Sequence, residues 1–172
     1  MNDQPAGPGP LRIRAAAPDD IAAILPIWNA IIRDTLIIFS PEERTAQGVA
    51  QLLAAKAAAG EPFLVAEIGG RVQGFATYGP FRGGAGYVHT MEHTIILAPG
   101  ARGHGAGRAL IAALEDHGRA AGIHSLFAGI SATNAEGIAF HAAIGFAEVA
   151  RLPQVGRKWG QWLDLVLMQK FL

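Results

Sequence analysis

The spacing of apolar residues in the first third of the chain predicts a strand followed by two helices. Residues 11–14 alternate as in a short strand, and Pro18-Asp19-Asp20 after them is typical of a helix start. Pro26 lies inside this helix and is expected to strain or kink it. Ser40-Pro41-Glu42-Glu43 is a capping box with proline at the first helical position, and it predicts a second helix that ends at Gly60. The apolar stripe of the first helix consists of Ile21, Ile24, Leu25, Trp28, Ile31 and Ile32.

The middle of the chain has the pattern of an antiparallel meander. Residues 63–68 and 72–78 are strand-like and flank Gly69-Gly70, a pair that favours a hairpin turn. Residues 87–97 predict a longer third strand, which Pro99-Gly100 ends.

The last third predicts a helix, a strand, a short helix and two closing strands. The first of these helices begins near Ala109 and ends at Gly122, and a strand over residues 123–130 follows. Because a crossover helix separates two strands here, we expect one parallel pair in an otherwise antiparallel sheet. The pattern therefore predicts a mixed α/β fold of the α+β type. The remaining elements are a helix from Asn134 to Ile144, ended by Gly145, and strands over residues 146–152 and 163–171.

Composition narrows the class of protein. With 172 residues the chain is long enough for one substantial core, and we expect a single domain over residues 11–172 after a flexible tail over residues 1–10. Fourteen basic and fourteen acidic residues cancel, and without a basic stripe neither nucleic acid nor a membrane is an expected partner. Apolar runs are too short for a membrane span, and cysteine is absent, so we expect a soluble cytoplasmic protein.

The glycine-rich segment from Arg102 to Arg108 predicts an anion site. Its glycines allow a tight turn that aims several N–H groups at one point, and the helix after it leaves its first donors unpaired. The two arginines can add charge-assisted hydrogen bonds, so a phosphate-bearing cofactor is the first functional inference. The P-loop spacing is absent, and Arg108 stands where a dinucleotide motif has its third glycine. A glycine-rich turn without a ligand is the alternative.

A wider set of residues narrows the cofactor. Thr90-Met91-Glu92-His93-Thr94 and residues 153–164 resemble the phosphinothricin and methionine sulfoximine N-acetyltransferase branch of the GNAT superfamily of acyl-CoA-dependent enzymes. The resemblance runs from about residue 13 to residue 172. It implies a splayed, mostly antiparallel sheet of about seven strands flanked by about four helices. It also implies that the glycine loop binds the pyrophosphate of acetyl-CoA. The superfamily features are Arg102-x-x-Gly105-x-Gly107 after a strand, then Asn134, His141 and Gly145-Phe146.

The resemblance implies two catalytic residues. Glu92 is the candidate general base, acting through a water, and its apolar neighbours Met91 and Ile95 are expected to raise its pKa. From the residues alone, a strand carboxylate paired to Arg82 or to a histidine is the alternative. His141 stands where many GNAT enzymes have a tyrosine, and it is implied either as the acid for the departing thiolate or as a hydrogen-bond donor to the sulfur. A helix histidine packed in the core is its alternative.

The resemblance also implies the acetyl-CoA site. Backbone N–H groups around residues 95–97 are candidates to stabilise the oxyanion, although Ile96 stands where this branch usually has tyrosine. Asn134 is implied to bond the pantetheine arm while capping its own helix. No metal is expected, because His89 and His93 stand too far apart on the predicted strand to chelate one ion. The implied cofactor-binding residues are Ile95, Ile96, Leu97, Arg102, Gly103, His104, Gly105, Ala106, Gly107, Arg108 and Asn134.

For the acceptor, the resemblance implies a pocket in which the Arg82 guanidinium binds an amino acid carboxylate. Trp28 is a further candidate wall, although its position on the apolar stripe favours the core. Residues 153–164 are implied to lie near the substrate cleft or at a dimer contact. Three positions depart from the usual residues of the branch, namely Val88, Ser131 and Gly137. The implied substrate-binding residues are Phe39, Phe81, Arg82 and Glu92.

Together these features predict direct transfer of an acetyl group from acetyl-CoA to the α-amine of a small amino acid or analogue, such as phosphinothricin or methionine sulfoximine. Two alternatives remain open. The acceptor is a protein N-terminus, a lysine or a polyamine, or the chain is a non-catalytic acyl-CoA-binding module. The branch and the general frequency of twofold assemblies lead us to expect a homodimer.

Overall fold

The computed structural model describes residues 9–172, and one sheet runs through them. The tail predicted over residues 1–10 lies outside the described residues, apart from its last two positions. Within the described part, no helix is both long and apolar enough to cross a lipid bilayer. The strands are β1 (Leu11–Ala15), β2 (Phe63–Ile68), β3 (Arg71–Pro80), β4 (Thr90–Leu97), β5 (Ser125–Ser131), β6 (Ala147–Lys158) and β7 (Gln161–Phe171). The helices are α1 (Ile21–Asp34), α2 (Ala46–Ala59), α3 (Ala106–Ala120) and α4 (Ala135–Ala143).

The sheet opens along one pair of strands. Its order is β1-β2-β3-β4-β5-β7-β6, and only β4 and β5 are parallel, joined by the crossover helix α3. Their pairing ends at His93↔Ala128, although β4 continues to Leu97 and β5 to Ser131. The two strands therefore diverge at their carboxyl ends. This confirms the predicted mixed, mostly antiparallel and splayed sheet of seven strands with four helices.

Each face of the sheet carries its own hydrophobic cluster, because side chains alternate along a strand. Helices α1 and α2 cover the face that includes Phe75 and Ile96, and α3 covers the face that includes Leu126 and Val166. Trp28 is buried on the first face, with its ring centroid 4.8 Å from that of Phe75. Burial of a large apolar side chain contributes roughly 1.5–3 kcal/mol. Trp28 is therefore a core residue, and its interpretation as a pocket wall was wrong.

The second helix begins later than the capping box predicts. Thr45 is the N-cap of α2, with its hydroxyl accepting from the Gly48 N–H at 3.0 Å, while residues 40–44 have no regular secondary structure. Two side-chain bonds from Asn29 on α1 hold the backbone of Arg44, so a tertiary contact keeps this segment out of the helix. The predicted end at Gly60 is confirmed by its left-handed conformation, with φ of 67°.

Three other element boundaries differ from the prediction by three residues or more. Strand β4 begins at Thr90 rather than at Tyr87, because the glycine-rich stretch before it forms a 3₁₀ turn at Ala85–Tyr87. His89 therefore lies outside the strand. Helix α3 begins at Ala106, three residues before the predicted start. Strand β6 continues to Lys158, past an irregularity at residues 152–156 that a local pattern does not show.

Candidate active site

A bend rich in glycine presents a row of backbone donors at the start of α3. Gly103 and Gly105 both have φ of 78°, a left-handed conformation that side chains disfavour. The Arg102 N–H donates to the Pro99 carbonyl, and the Ala109 N–H donates to the Gly105 carbonyl. None of the N–H groups between them donates to a backbone carbonyl. The N–H groups of residues 103–108 therefore remain for a ligand, at the positive end of the helix dipole. This geometry suits the anion that the sequence predicts to bind here.

Gly107 serves a different purpose from the other two glycines. It lies inside α3, and a Cβ atom there would come within 3.2 Å of the Phe140 ring and 3.3 Å of the Leu97 side chain. The absence of a side chain therefore allows α3 to approach both β4 and α4 closely. Its contribution to the site is close packing rather than a special backbone conformation.

A cavity of about 400 Å³ opens at this bend. It is lined by every predicted cofactor residue except His104, whose ring bonds the Arg102 carbonyl at 2.9 Å instead. The Arg102 guanidinium also forms an exposed ion pair with Glu136 at 2.6 Å, so part of its charge is already compensated. The sequence did not identify the other lining residues, Ile31, Ile37, Ala101, Glu136, Gly137, Phe140 and His141, as cavity walls, although it did single out His141 for catalysis.

A second cavity of about 280 Å³ adjoins the first. Phe39 and Glu92, two of the predicted substrate residues, line it together with Ile38, Gly129 and Leu165. The two cavities meet where β4 and β5 diverge, so a group bound in one faces a group bound in the other. The residues that line both are Ile37, Ile95, Ile96, Asn134 and His141.

The backbone of β4 is exposed to the cavities at this junction. The Phe81 N–H donates to the Thr90 carbonyl, and the Ala98 N–H donates to the Gln73 carbonyl, so alternate residues of β4 bond β3. The N–H groups of Ile95 and Leu97 point to the other side, where pairing with β5 has ended. The region predicted for the oxyanion donor therefore holds two suitable groups, whereas the Ile96 N–H is directed at β3.

Glu92 is half-buried and free of ion pairs within the described residues. Burial raises the pKa of its carboxyl, with no charged neighbour as a cause. One carboxylate oxygen lies over Gly129, where a Cβ atom would be only 2.5 Å away. The alternative, in which Glu92 pairs with Arg82 or a histidine, is not seen among residues 9–172. Met91 and Ile95 point to the opposite face of the sheet, so the expectation that they raise this pKa was wrong about the cause.

His141 forms a buried pair with His93. Their Nε2 atoms are 3.0 Å apart, and His141 Nδ1 donates to the Gly137 carbonyl at 2.7 Å. Burial lowers the pKa of both rings, that of His93 to about 3, so both are neutral at pH 7. His141 Nε2 then accepts the Nε2 proton of His93, and the Nδ1 of His93 stays buried without a partner among residues 9–172. In this arrangement no N–H of His141 is directed at a ligand.

Two predicted acceptor residues lie outside the second cavity. The Phe81 ring stacks on Phe127 at a centroid distance of 4.3 Å, and the Arg82 guanidinium lies 5.7 Å from the Tyr87 ring centroid. Because Phe127 pairs with Glu92 across β4 and β5, the Phe81-Arg82 segment lies at the Glu92 end of this cavity. Neither side chain lines it.

The three positions whose residues differ from those usual in the branch have different surroundings. Ser131 is buried, lines the second cavity and bonds the Thr133 hydroxyl at 2.9 Å. A Cβ atom on Gly137 would lie 2.3 Å from the side-chain nitrogen of Asn134. The side-chain oxygen of Asn134 caps α4 by accepting from the Gly137 N–H. Val88 is exposed. In the part of the chain that the structure describes, no group of three His, Asp or Glu side chains could hold a metal ion.

Comparison with known proteins agrees with this geometry. Residues 27–146 match the model of the acetyltransferase (GNAT) family. The L-methionine sulfoximine/L-methionine sulfone acetyltransferase of Salmonella typhimurium is 38% identical over 92% of this chain and 93% of its own length. The crystal structure of a ribosomal-protein-alanine N-acetyltransferase from Brucella melitensis has a TM-score of 0.90 at 43% identity and covers 94% of this chain and 99% of that chain. An acetyltransferase of Salmonella typhimurium with its cofactor acetyl-CoA has a TM-score of 0.89 at 38% identity over 94% of each chain.

Proposed function

Because the chain belongs to the acetyltransferase (GNAT) family, we propose that it acetylates the α-amine of a small amino acid or amino acid analogue by direct transfer from acetyl-CoA. The observation that carries this proposal is the junction of the two cavities. One holds the glycine bend, the other holds the Glu92 carboxylate, which forms no ion pair within residues 9–172, and they meet at the open edge of β4. A donor and an acceptor bound at the same time can therefore react without a covalent enzyme intermediate.

The donor cavity fits acetyl-CoA. The N–H groups of residues 103–108 bind the pyrophosphate, and the neutral or apolar walls around Ile37 and Phe140 suit the pantetheine arm. Asn134 lies at the junction, where its side chain borders both cavities. The Ile95 and Leu97 N–H groups are the donors nearest the opened strand edge, and one of them stabilises the oxyanion that forms when the amine attacks the thioester.

Glu92 removes the proton that the ammonium form of the acceptor carries. An amine attacks only through a free lone pair, so a base has to act before or during the transfer. The carboxylate of Glu92 lines the acceptor cavity, and its raised pKa brings its proton affinity closer to that of a bound amine. The proton reaches the carboxylate directly or through one water molecule.

His141 is the candidate to return a proton to the departing thiolate of coenzyme A. In its neutral form the one N–H of the ring is used by the Gly137 carbonyl. Donation from Nε2 therefore requires that His141 first accepts a second proton, which also breaks its bond from His93. Its alternative role is to order α4 at the junction through this pair of bonds.

The acceptor cavity has the size and walls for a methionine-like side chain. Ile38, Phe39 and Leu165 provide apolar surface, and Glu92 provides the proton acceptor. Methionine sulfoximine, methionine sulfone and phosphinothricin are the substrates that this proposal favours, and the Arg82 guanidinium at the Glu92 end is the proposed partner of their carboxylate.

The proposal also includes a homodimer. It is supported by the exposed side chains of Trp159 and Trp162, and light scattering tests it.

A screen of acetyl-CoA turnover tests the proposed activity. The purified chain is incubated with amino acids, their sulfoximine, sulfone and phosphinate analogues, alanine-initiated peptides and polyamines, while free thiol and product mass are measured. We expect N-acetylated product with the amino acid analogues. Turnover confined to peptides would favour the protein N-terminal alternative, for which the Brucella melitensis neighbour is named. If none of these amines causes release of free thiol, the proposal is contradicted.

A further inference from the structure

Lys158 has an unusual environment for a lysine. Its side chain is buried at the end of β6, only 3% exposed, and it forms no ion pair with any described residue. Its amino group instead donates to three backbone carbonyls, those of Ile32, Thr35 and Ile38, the last two at 2.8 Å. An ammonium group has three protons, so these bonds use every donor that Lys158 has.

The three carbonyls belong to the end of α1 and the loop after it. The Ile32 carbonyl is among the last four of the helix, which have no partner within the helix, and a cation is favourable at this end of the dipole. The Thr35 hydroxyl satisfies the neighbouring Ile31 carbonyl at 2.6 Å and also accepts from the Ile37 N–H. Lys158 and Thr35 therefore provide the hydrogen bonds that hold residues 35–39 in place.

Gly156 lies two residues before Lys158 and on the same side of the strand. A Cβ atom at Gly156 would come within 2.1 Å of the Phe39 ring, so only glycine leaves space for the ring as it is placed. The outward side of this hairpin is different, because Trp159 and Trp162 are more than half exposed. The segment of residues 153–164 thus has an inner face beside the substrate cleft, one of the two locations that the sequence left open.

The loop of residues 35–39 contributes to the walls of both cavities. Ile37 lines the donor and acceptor cavities, and Ile38 and Phe39 line only the one that contains Glu92. We infer that Lys158, together with Gly156, is a positioning residue that fixes the Ile38-Phe39 wall and thereby sets the fit of the acceptor side chain. This inference rests on the proposed function for the identity of the acceptor cavity, but the hold of Lys158 on the loop does not.

The test replaces Lys158 by methionine, which is unbranched and only one heavy atom shorter, and which removes the three donors. We expect the KM for the acceptor found in the screen to rise about tenfold, equivalent to about 1.4 kcal/mol. The affinity for acetyl-CoA, measured by calorimetry, is expected to change by less than about threefold, because neither Ile38 nor Phe39 borders the donor cavity and only Ile37 of this loop does. Amide hydrogen exchange of residues 32–39 is expected to accelerate.

Lys170 supplies a matched control. It is a second partly buried lysine, whose amino group donates to the Ile144 carbonyl at 2.8 Å and to Glu115 at 2.6 Å, away from the loop. Lys170→Met is expected to lower stability while leaving the acceptor KM and the exchange of residues 32–39 unchanged. Gly156→Ala keeps Lys158 but displaces the Phe39 ring, and it is expected to raise the acceptor KM in the same way.

The outcomes separate this inference from the proposed function. A wild-type chain that acetylates no amine contradicts the function, and exchange of residues 32–39 still decides whether Lys158 holds the loop. An active wild type with an unchanged acceptor KM in both Lys158→Met and Gly156→Ala overturns the inference alone. Should Lys158→Met fail to fold, Gly156→Ala carries the test.

Discussion

At the scale of single residues, the raised pKa of the candidate base follows from the position of its carboxylate. Glu92 stands on the face of β4 that looks into the acceptor cavity, and Gly129 on the neighbouring strand leaves space for its oxygen. Burial raises its pKa without a compensating cation. A carboxylate in this state costs stability when ionised, and a structural role would not require it. This combination favours a functional role for Glu92.

Replacement of Glu92 by glutamine is expected to lower kcat by about 10²–10⁴-fold, because the amide keeps the shape but cannot accept the proton. In the wild type, the folded pKa lies above the unfolded one, so the carboxyl favours folding below the unfolded pKa, and this advantage is lost as pH rises through the folded pKa. Glu92→Gln should therefore be at least as stable as the wild type at pH 7, as measured by thermal unfolding.

The pH profile provides a second measurement of the same group. Because the ionised form is active, kcat/KM of the wild type should fall as pH decreases, with a midpoint above the ordinary glutamate value of about 4.3. As a control, Gly129→Ala retains the carboxylate but displaces it, and it should reduce kcat without abolishing the acid limb. An unchanged kcat in Glu92→Gln would exclude Glu92 as the base.

The sequence predicted the site residues that a local pattern or the resemblance marks, and it did not predict the contacts between residues far apart in the chain. The glycine bend was predicted from its motif, and Glu92 and Phe39 were predicted from the family resemblance; all three lie at the cavities. The bond between His93 and His141 joins residues 48 positions apart, and that of Lys158 to Ile32 spans 126 positions. No local pattern contains such pairings. The position of Arg82 against Tyr87 also depends on the loop that carries both.

At the scale of elements, the start of α2 shows how a tertiary contact overrides a cap signal. Thr45→Ala removes the observed N-cap and is expected to cost about 1 kcal/mol. In a chain of this size that lowers Tm by about 2–4 °C. Ser40→Ala, at the predicted cap, is expected to leave Tm nearly unchanged, because its hydroxyl accepts only one exposed N–H at 3.3 Å. The reverse order of the two Tm changes, measured by differential scanning calorimetry, would contradict the assigned helix start.

Elements bounded by glycine were the ones best predicted. The hairpin at Gly69-Gly70 and the helix ends at Gly60 and Gly122 all use positive φ angles, a requirement that acts within a few residues. The capping box failed because its competitor, Asn29, binds Arg44 from another helix. Strand β6 was predicted too short because its continuation depends on pairing with β7 after an irregularity.

At the scale of the whole molecule, the proposed function depends on the divergence of β4 and β5. It ends one row of backbone pairing, exposes the Ile95 and Leu97 N–H groups, and joins the cavity of the glycine bend to the cavity of Glu92. The crossover pattern predicted the parallel pair, and the family resemblance predicted its splay. The position of β7 between β5 and β6 was not predicted, since strand order depends on packing across the entire sheet.

The most direct test of the central claim is a crystal structure with acetyl-CoA and an amino acid analogue bound. We expect pyrophosphate oxygens about 2.7–3.2 Å from N–H groups of residues 103–108, and the thioester carbonyl facing the Ile95 or Leu97 N–H. The acceptor amine should lie between that thioester and Glu92. A glycine bend without the pyrophosphate, or an acceptor amine remote from both the thioester and Glu92, would contradict the account.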